Sequence, residues 1–309
     1  MKIVFIGTGG FALPALRALA SRNEIILVVT QPDRPAGRDR KISEPPVKRA
    51  SKALGLPVIQ PVKIQAEQGI EPLIDASPDV IVVAAYGQIL PRAVIELPLQ
   101  GTINIHASLL PQYRGAAPIN WVLINGEEKT GVTTFFLDEG IDTGPILLQC
   151  ELTIDPDETA EELQIRLAEQ GAQLIVETID RLTHCDLTAI PQDNSAASYA
   201  PKLSRADGKI DWNRPSTAIY NQARGMTPWP GTFTYLNGKR IKIHRCRLSG
   251  INSHDFLPGK IVLPETGRLL IATADDLLEI VEIQPAGRRA MSGRAFLCGL
   301  HKSDGDLFQ

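Results

Sequence analysis

Apolar residues recur along the first two thirds of the chain in two alternating patterns. Residues 3–6, 24–30, 58–61, 79–87, 102–106 and 132–137 are short runs rich in branched side chains, which predicts strands. Residues 11–20, 46–54 and 159 to about 181 carry helical spacing instead. Thr159-Ala160-Glu161-Glu162 has the form of a capping box and marks where the last of these helices begins. The stretch 79–87, DVIVVAAYG, is the most continuously apolar, so it is expected at the centre of a sheet covered on both faces. Strand and helix in alternation predict an α/β, Rossmann-like doubly wound sheet, mainly parallel, with ligands beyond the carboxyl ends of its strands.

The pattern changes near residue 189. Pro191, Pro201 and a polar Asn194-Ser195 centre read as a linker over 189–207. Beyond it lie short strand runs at 232–236, 240–247, 259–263, 269–273 and 278–284, separated by Gly and Pro turns. Asn237-Gly238 between the first two is a hairpin signal, and a small β-barrel is expected. The predicted organisation is therefore a catalytic domain over 1–188, the linker, and a barrel over 208–309. In Arg240-Ile241-Lys242-Ile243-His244 the two-residue period puts the cations on one face and the isoleucines on the other. That face is either an ordinary solvated surface or a basic surface for nucleic acid.

Candidate chemistry gathers around residues 101–143. In Thr102-Ile103-Asn104-Ile105-His106 the same period turns Asn104 and His106 to one side. Ser108-Leu109-Leu110-Pro111 and Arg114-Gly115-Ala116-Ala117-Pro118 follow, small and turn-prone segments that let backbone pass close to a ligand. The run 132–137 leads into Asp138-Glu139-Gly140-Ile141-Asp142-Thr143-Gly144, a carboxylate-rich loop. An amide, an imidazole and Asp142 at the carboxyl ends of neighbouring strands supply an oxyanion donor, a proton carrier and a relay, the parts acyl transfer needs. Gly7, Gly9 and Ala12 satisfy a G-x-G-x-x-A spacing, but the next strand ends in Gln31-Pro32-Asp33 with no acid at its tip for a ribose hydroxyl. A tight turn is the preferred reading. The cations Arg34, Arg38, Arg40 and Lys41 on a Gly/Pro loop suit either solvated surface or a grip on phosphates.

Composition changes the picture little. At 309 residues and 43% hydrophobic the chain suffices for two cored domains. The formal charge of -3 conceals an asymmetry, because residues 205–309 hold 15 Lys/Arg against 10 Asp/Glu. A basic second half hints at a polyanionic partner. Cys150, Cys185, Cys246 and Cys298 are too widely spaced for a CxxC pair and fit a reducing compartment. With Met1-Lys2 leading directly into a strand and no apolar run of about 18 residues, a cytoplasmic protein is expected.

Residues 30–38 (TQPDRPAGR), 85–87 (AYG), 104–111 (NIHASLLP), 114–119 (RGAAPI), 142–144 (DTG), 199–203 (YAPKL), Asp211-Trp212, 228–230 (PWP) and 284–287 (QPAG) together resemble the methionyl-tRNA formyltransferase family, essentially end to end. One departure is Gly7-Thr8-Gly9-Gly10-Phe11, where the family commonly has Gly-Thr-Pro-x-Phe. The resemblance implies the formyltransferase fold with an OB-like barrel after it, and formyl transfer from 10-formyltetrahydrofolate to methionine on initiator tRNA, without a metal. It implies Asn104, His106 and Asp142 as the catalytic residues. Folate is expected along Tyr86, Gly87, Gln88, Ile89, Leu90 and Ser108, Leu109, Leu110, Pro111. Initiator tRNA is expected on Arg34, Arg38, Arg40, Lys41, Arg240 and Lys242, and the enzyme is expected to be a monomer. Rival readings are a formyltransferase for a small amine, an RNA-binding module on a degenerate Rossmann-like domain, and a dehydrogenase.

Overall fold

The computed structural model describes residues 1–36, 41–262, 267–299 and 307–309. The chain divides into two compact units, residues 1–118, 129–153 and 164–200 in the first, and 119–128, 154–163 and 201–309 in the second.

Elements follow in the order β1 (Lys2–Gly7), α1 (Leu13–Ala20), β2 (Glu24–Val29), β3 (Arg34–Ala36), β4 (Lys41–Ser43), α2 (Pro46–Ala53), β5 (Val58–Ile59), α3 (Glu67–Ala76), β6 (Val80–Ala84), α4 (Arg92–Ile95), β7 (Thr102–His106), β8 (Arg114–Gly115), α5 (Pro118–Ile124), β9 (Lys129–Phe136), β10 (Ile146–Thr153), α6 (Ala160–Thr183) and β11 (Tyr199–Ala200). Seven strands make one sheet in the order β10-β9-β7-β6-β1-β2-β5. All five residues of β6 are buried and the strand is fourth of the seven, because a run apolar on both faces must be covered on both. The strands from β5 to β7 are parallel, and the order reverses between β1 and β6. Gly7 lies opposite Ala84 and Val83 opposite Asn104, so β1, β6 and β7 all end at one edge.

The remaining two strands correct an expectation. Asp142 was to lie beyond the carboxyl end of a strand neighbouring β7, but β9 is antiparallel to β7, with His106 opposite Thr133 and Ile103 opposite Phe136. It therefore finishes beside Thr102, at the other edge from His106, and Leu137 N–H donates to the Thr102 carbonyl there. The period-two pattern of residues 132–137 is the same in either direction, so it carries no sign of this.

Helix α6 covers β7 from behind. A Cβ on Gly171 would stand 3.0 Å from Ile105 Cγ2, so the helix comes as close as a residue without a side chain permits. Ile103 and Ile105 are thereby buried, and the opposite face of the strand is left to Asn104 and His106.

The second unit contains α7 (Ser216–Gly225), β12 (Thr232–Leu236), β13 (Lys239–Asn252), β14 (Ile261–Val262), β15 (Leu270–Ala272), β16 (Asp276–Pro285), β17 (Met291–Ser292) and α8 (Gly293–Cys298). Its six strands form an antiparallel half-barrel, β12-β13-β16-β15-β14 with β17 on β16. Asn237 and Gly238 turn the first hairpin with φ of 49° and 72°, the left-handed pair that matches strand twist. Residues 307 and 308 join the two ends of the sheet. Phe308 bridges to Leu236 at the β12 edge, and Leu307 bridges to Lys260 just before β14. Phe308 also stacks on Trp212 at 5.8 Å between ring centroids, inside a core of Ile219, Ile241, Ile243, Ile271 and Ile280.

Thr159 and Glu162 form the capping box read from the sequence: Thr159 N–H donates to Glu162 Oε2 at 2.9 Å, and Glu162 N–H to Thr159 Oγ1 at 3.4 Å. The bond from the Thr159 backbone, and after it one from the Thr159 hydroxyl at 2.7 Å, which alanine would remove, hold the Glu162 carboxyl below its ordinary range. Thr159→Ala should cost about 1 kcal/mol in denaturant unfolding at neutral pH. A carboxyl with a depressed folded pKa stabilises above its unfolded value and loses that contribution as pH falls. The difference between Thr159→Ala and the parent should therefore narrow in acid.

Candidate active site

At the end of β7 the alternation delivers Asn104 half-buried and His106 buried on one face. Among the described residues no protein group hydrogen-bonds the Asn104 carboxamide. His106 is the reverse case. Its Nε2 lies 3.0 Å from the Tyr113 carbonyl, which only accepts, so Nε2 carries the proton. Its ring meets Phe135 edge-on, with centroids 6.3 Å apart, which fixes the plane of the imidazole. Nδ1 is left facing Asp142 Oδ2 at 3.7 Å, too long for a hydrogen bond.

Asp142 reaches this position from the loop between β9 and β10. It has φ of 53°, a left-handed conformation uncommon for a residue with a side chain. Gly115 N–H donates to its Oδ2 at 2.8 Å, and the Gln192 amide donates to the Asp142 carbonyl at 2.9 Å and the Gly144 carbonyl at 2.7 Å. Gly144 itself is packed so tightly that a Cβ would fall 1.8 Å from the Phe136 carbonyl. The carboxylate is thus placed from three sides.

The segments expected to take folate lie at the same edge. Tyr86 is buried, its carbonyl accepts from the Thr8 hydroxyl and the Gln31 amide, and burial pushes its phenol up to about 12. Its hydroxyl has no partner among the described residues. Gly87 has φ of 84° and turns the chain so that Ile89 stands 85% exposed, while Leu90 returns to the core. Gln88 ties this turn to the preceding loop, its oxygen accepting from Ile64 N–H and its nitrogen donating to the Val62 carbonyl. Ser108 to Pro111 is secured by Thr133, whose hydroxyl donates to the Ser108 carbonyl at 2.7 Å and accepts from Leu110 N–H at 3.1 Å. Gln149 adds bonds to the Leu110 carbonyl and to Thr133. Leu109 lies directly over Gly131, where a Cβ would be 2.5 Å from Leu109 Cδ2.

The turn after β1 is closed by its own neighbours. Thr8 and Gln31 join it to Tyr86, and the Asp33 carboxylate, held below its usual range by bonds from Gln60 and Lys48, is occupied. This agrees with a structural turn rather than a dinucleotide cradle.

Of the predicted cations, Arg34 and Lys41 are exposed at the two ends of the β3–β4 hairpin, with Arg34 bonded to Gln31 at 2.9 Å. Arg38 and Arg40 lie outside the described residues. In the second unit Lys242 is exposed beside the buried Ile241 and Ile243. Arg240 is less free than the sequence implied: its guanidinium lies 3.8 Å from the centroid of Phe233, and its Nε is buried without a hydrogen bond. A bulge after Ile243 keeps Cys246 inside and leaves Arg245 and Arg247 exposed as well.

Sequence reasoning missed Tyr113, Thr133, Gln149, Gln192 and Ser198. They work through hydrogen bonds that the fold brings together, most of them across long spans of chain, which no local period reveals. Among the described residues no cluster of His, Cys, Asp or Glu could hold a metal ion, and no helix is long and apolar enough to cross a membrane.

A Rossmann-like sheet with this edge places the molecule among the formyltransferases, and the comparisons agree. The Formyl transferase family model matches residues 1–179, and the Formyl transferase C-terminal domain model matches 202–301. The methionyl-tRNA formyltransferase of Citrifermentans bemidjiense is 45% identical over 99% of this chain and 96% of its own, and that of Pelobacter propionicus is 46% identical over 99% and 95%. The chain belongs to the methionyl-tRNA formyltransferase family. Among solved structures, the sugar 3N-formyltransferase WlaRD superposes with a TM-score of 0.69 at 21% identity, covering 94% of this chain and 99% of that one. HypX from Aquifex aeolicus, in complex with tetrahydrofolic acid, gives 0.64 at 16% identity over 96% of this chain and 47% of its own. These two likenesses concern the fold.

Since a methyl on Gly144 collides with the Phe136 carbonyl, Gly144→Ala should displace Asp142 and lower formyl transfer by about a hundredfold. Steady-state rates beside a circular dichroism spectrum would check it, with a folded and fully active variant as the contrary result.

Proposed function

We propose that this chain transfers the formyl group of 10-formyltetrahydrofolate to the α-amino group of methionine on initiator tRNA, with Asn104, His106 and Asp142 as its catalytic residues. The observation that carries the reading is the meeting of an imidazole and a carboxylate, 3.7 Å apart, at the strand end that also presents a carboxamide without a partner among the described residues.

The chemistry follows from what each group has free. The amine nitrogen attacks the formyl carbon, forming the C–N bond, and the carbonyl oxygen becomes an oxyanion. Asn104 donates to that oxygen, the kind of contact whose loss typically costs ~3 kcal/mol. His106 has its Nε2–H committed to Tyr113, so only Nδ1 is available to the substrate, as a base when neutral. Nδ1 and the Asp142 carboxylate together receive the proton that the attacking nitrogen loses. Collapse of the adduct breaks the bond to the folate nitrogen, and the same pair returns a proton to it.

The donor would lie along Tyr86, Gly87, Gln88, Ile89 and Leu90, and along Ser108, Leu109, Leu110 and Pro111. The exposed Ile89 offers apolar contact, and the backbone around Gly87 approaches without a Cβ in the way. For tRNA, Arg34, Arg38, Arg40 and Lys41 supply one basic segment, and Arg240 and Lys242 begin another that Arg245 and Arg247 extend. Within this reading the enzyme is a cytoplasmic monomer, and its unpaired cysteines suit a reducing compartment.

The direct test is formyl transfer onto methionine-charged initiator tRNA, compared with charged elongator tRNA. Transfer to the initiator species supports the reading, and activity confined to a small amine overturns it. Asn104→Ala, His106→Ala and Asp142→Ala should each lower kcat about a hundredfold or more with tRNA affinity near normal. Lys41→Ala and Lys242→Ala should instead weaken tRNA binding and each reduce its log–log salt slope by about one, which titrations at several salt concentrations would measure.

A further inference from the structure

Arg114 is among the largest fully buried side chains in the molecule, yet no carboxylate lies within ion-pair distance of it among the described residues. Its Nε and Nη2 donate instead to one neutral oxygen, Oε1 of Gln192, at 3.1 and 2.7 Å, and Nη2 also donates to Asn194 Oδ1 at 2.9 Å. Burying an unpaired guanidinium is costly, and packing alone would be served by an apolar side chain. What the arrangement does accomplish is to fix the amide of Gln192. With Oε1 held by the cation, Nε2 must point the other way, and there it donates to the carbonyls of Asp142 and Gly144. The two residues next to Arg114 complete the arrangement, since Tyr113 carries the carbonyl that holds His106 and Gly115 the N–H that holds the Asp142 carboxylate.

We propose that Arg114 and Gln192 are positioning residues that act through Asp142: the guanidinium orients the Gln192 amide, and that amide holds residue 142 in the left-handed backbone conformation that aims its carboxylate at His106. The inference rests on the catalytic reading of Asp142 given above. It gives residues 192–200 a role beyond joining elements. They supply Gln192 and Asn194, and their strand β11 pairs with β8, Tyr199 opposite Arg114 and Ala200 opposite Gly115.

Gln192→Glu isolates the proposed function. A carboxylate still accepts from Arg114, and better compensates its charge, but it no longer donates to the two carbonyls. The variant should therefore fold with a melting temperature near that of the parent. Its kcat for formyl transfer to charged initiator tRNA should fall about tenfold or more, with KM for both substrates within about twofold. Combined with Asp142→Ala, the same substitution should lower the residual rate by less than about twofold, because its effect passes through the group already removed. Gln192→Asn, which keeps the amide on a shorter arm, should retain more activity than Gln192→Glu. The inference is overturned if Gln192→Glu leaves kcat unchanged, raises KM alone, or multiplies fully with Asp142→Ala. The catalytic reading itself fails separately, if Asp142→Ala alone leaves turnover intact.

Discussion

The backbone N–H of Gly115 holds the Asp142 carboxylate directly. It can do so because residue 115 has φ of 120°, in the region that favours glycine, and because a Cβ there would stand 2.8 Å from the Ala200 carbonyl. Removing that N–H from its place would free the carboxylate to turn away from the imidazole. The chain on either side is pinned by the pairing of β8 with β11, and the Ser198 hydroxyl accepts from Tyr113 N–H. Two short strands of two residues each thus hold Gly115 and the chain next to Tyr113 in place.

The sheet and the site depend on different physics. Burial of branched side chains on β1, β2, β6 and β7 sets the strand order and brings several carboxyl ends to one edge. That force is non-directional, and it delivers backbone to within a few ångströms without aiming a functional group. Aiming is done by hydrogen bonds with little slack: Thr133 and Gln149 on the turn after β7, Gln88 on the turn after β6, Gln192 on the loop after β9. Their targets are largely backbone carbonyls and N–H groups, so they constrain the path of the chain, and among the described residues none of them takes up the Asn104 carboxamide.

This division explains what could be read from the residues alone. The two-residue period located Asn104 and His106 on one face, and the apolar run 79–87 located the centre of the sheet. Direction was not legible: β9 reads identically parallel or antiparallel, so Asp142 was assigned to a strand end that lies at the opposite edge. Nor was the clasp from Gln192, which bonds to residues 50 and 48 positions away, inside a segment whose prolines and polar residues look like a linker. In the second unit the face of β13 was legible, whereas the stacking of Arg240 on Phe233 depends on hairpin register and was not.

His106 presents Nδ1, not Nε2, to Asp142. Nitrogen-15 NMR of the imidazole side chains, with the His106 resonances assigned by substitution among the five histidines, reads the tautomer directly. Neutral His106 should carry its proton on Nε2, and its Nδ1 resonance should shift when Asp142 is changed to asparagine. A proton on Nδ1 of the neutral ring, unaffected by that substitution, would contradict this arrangement.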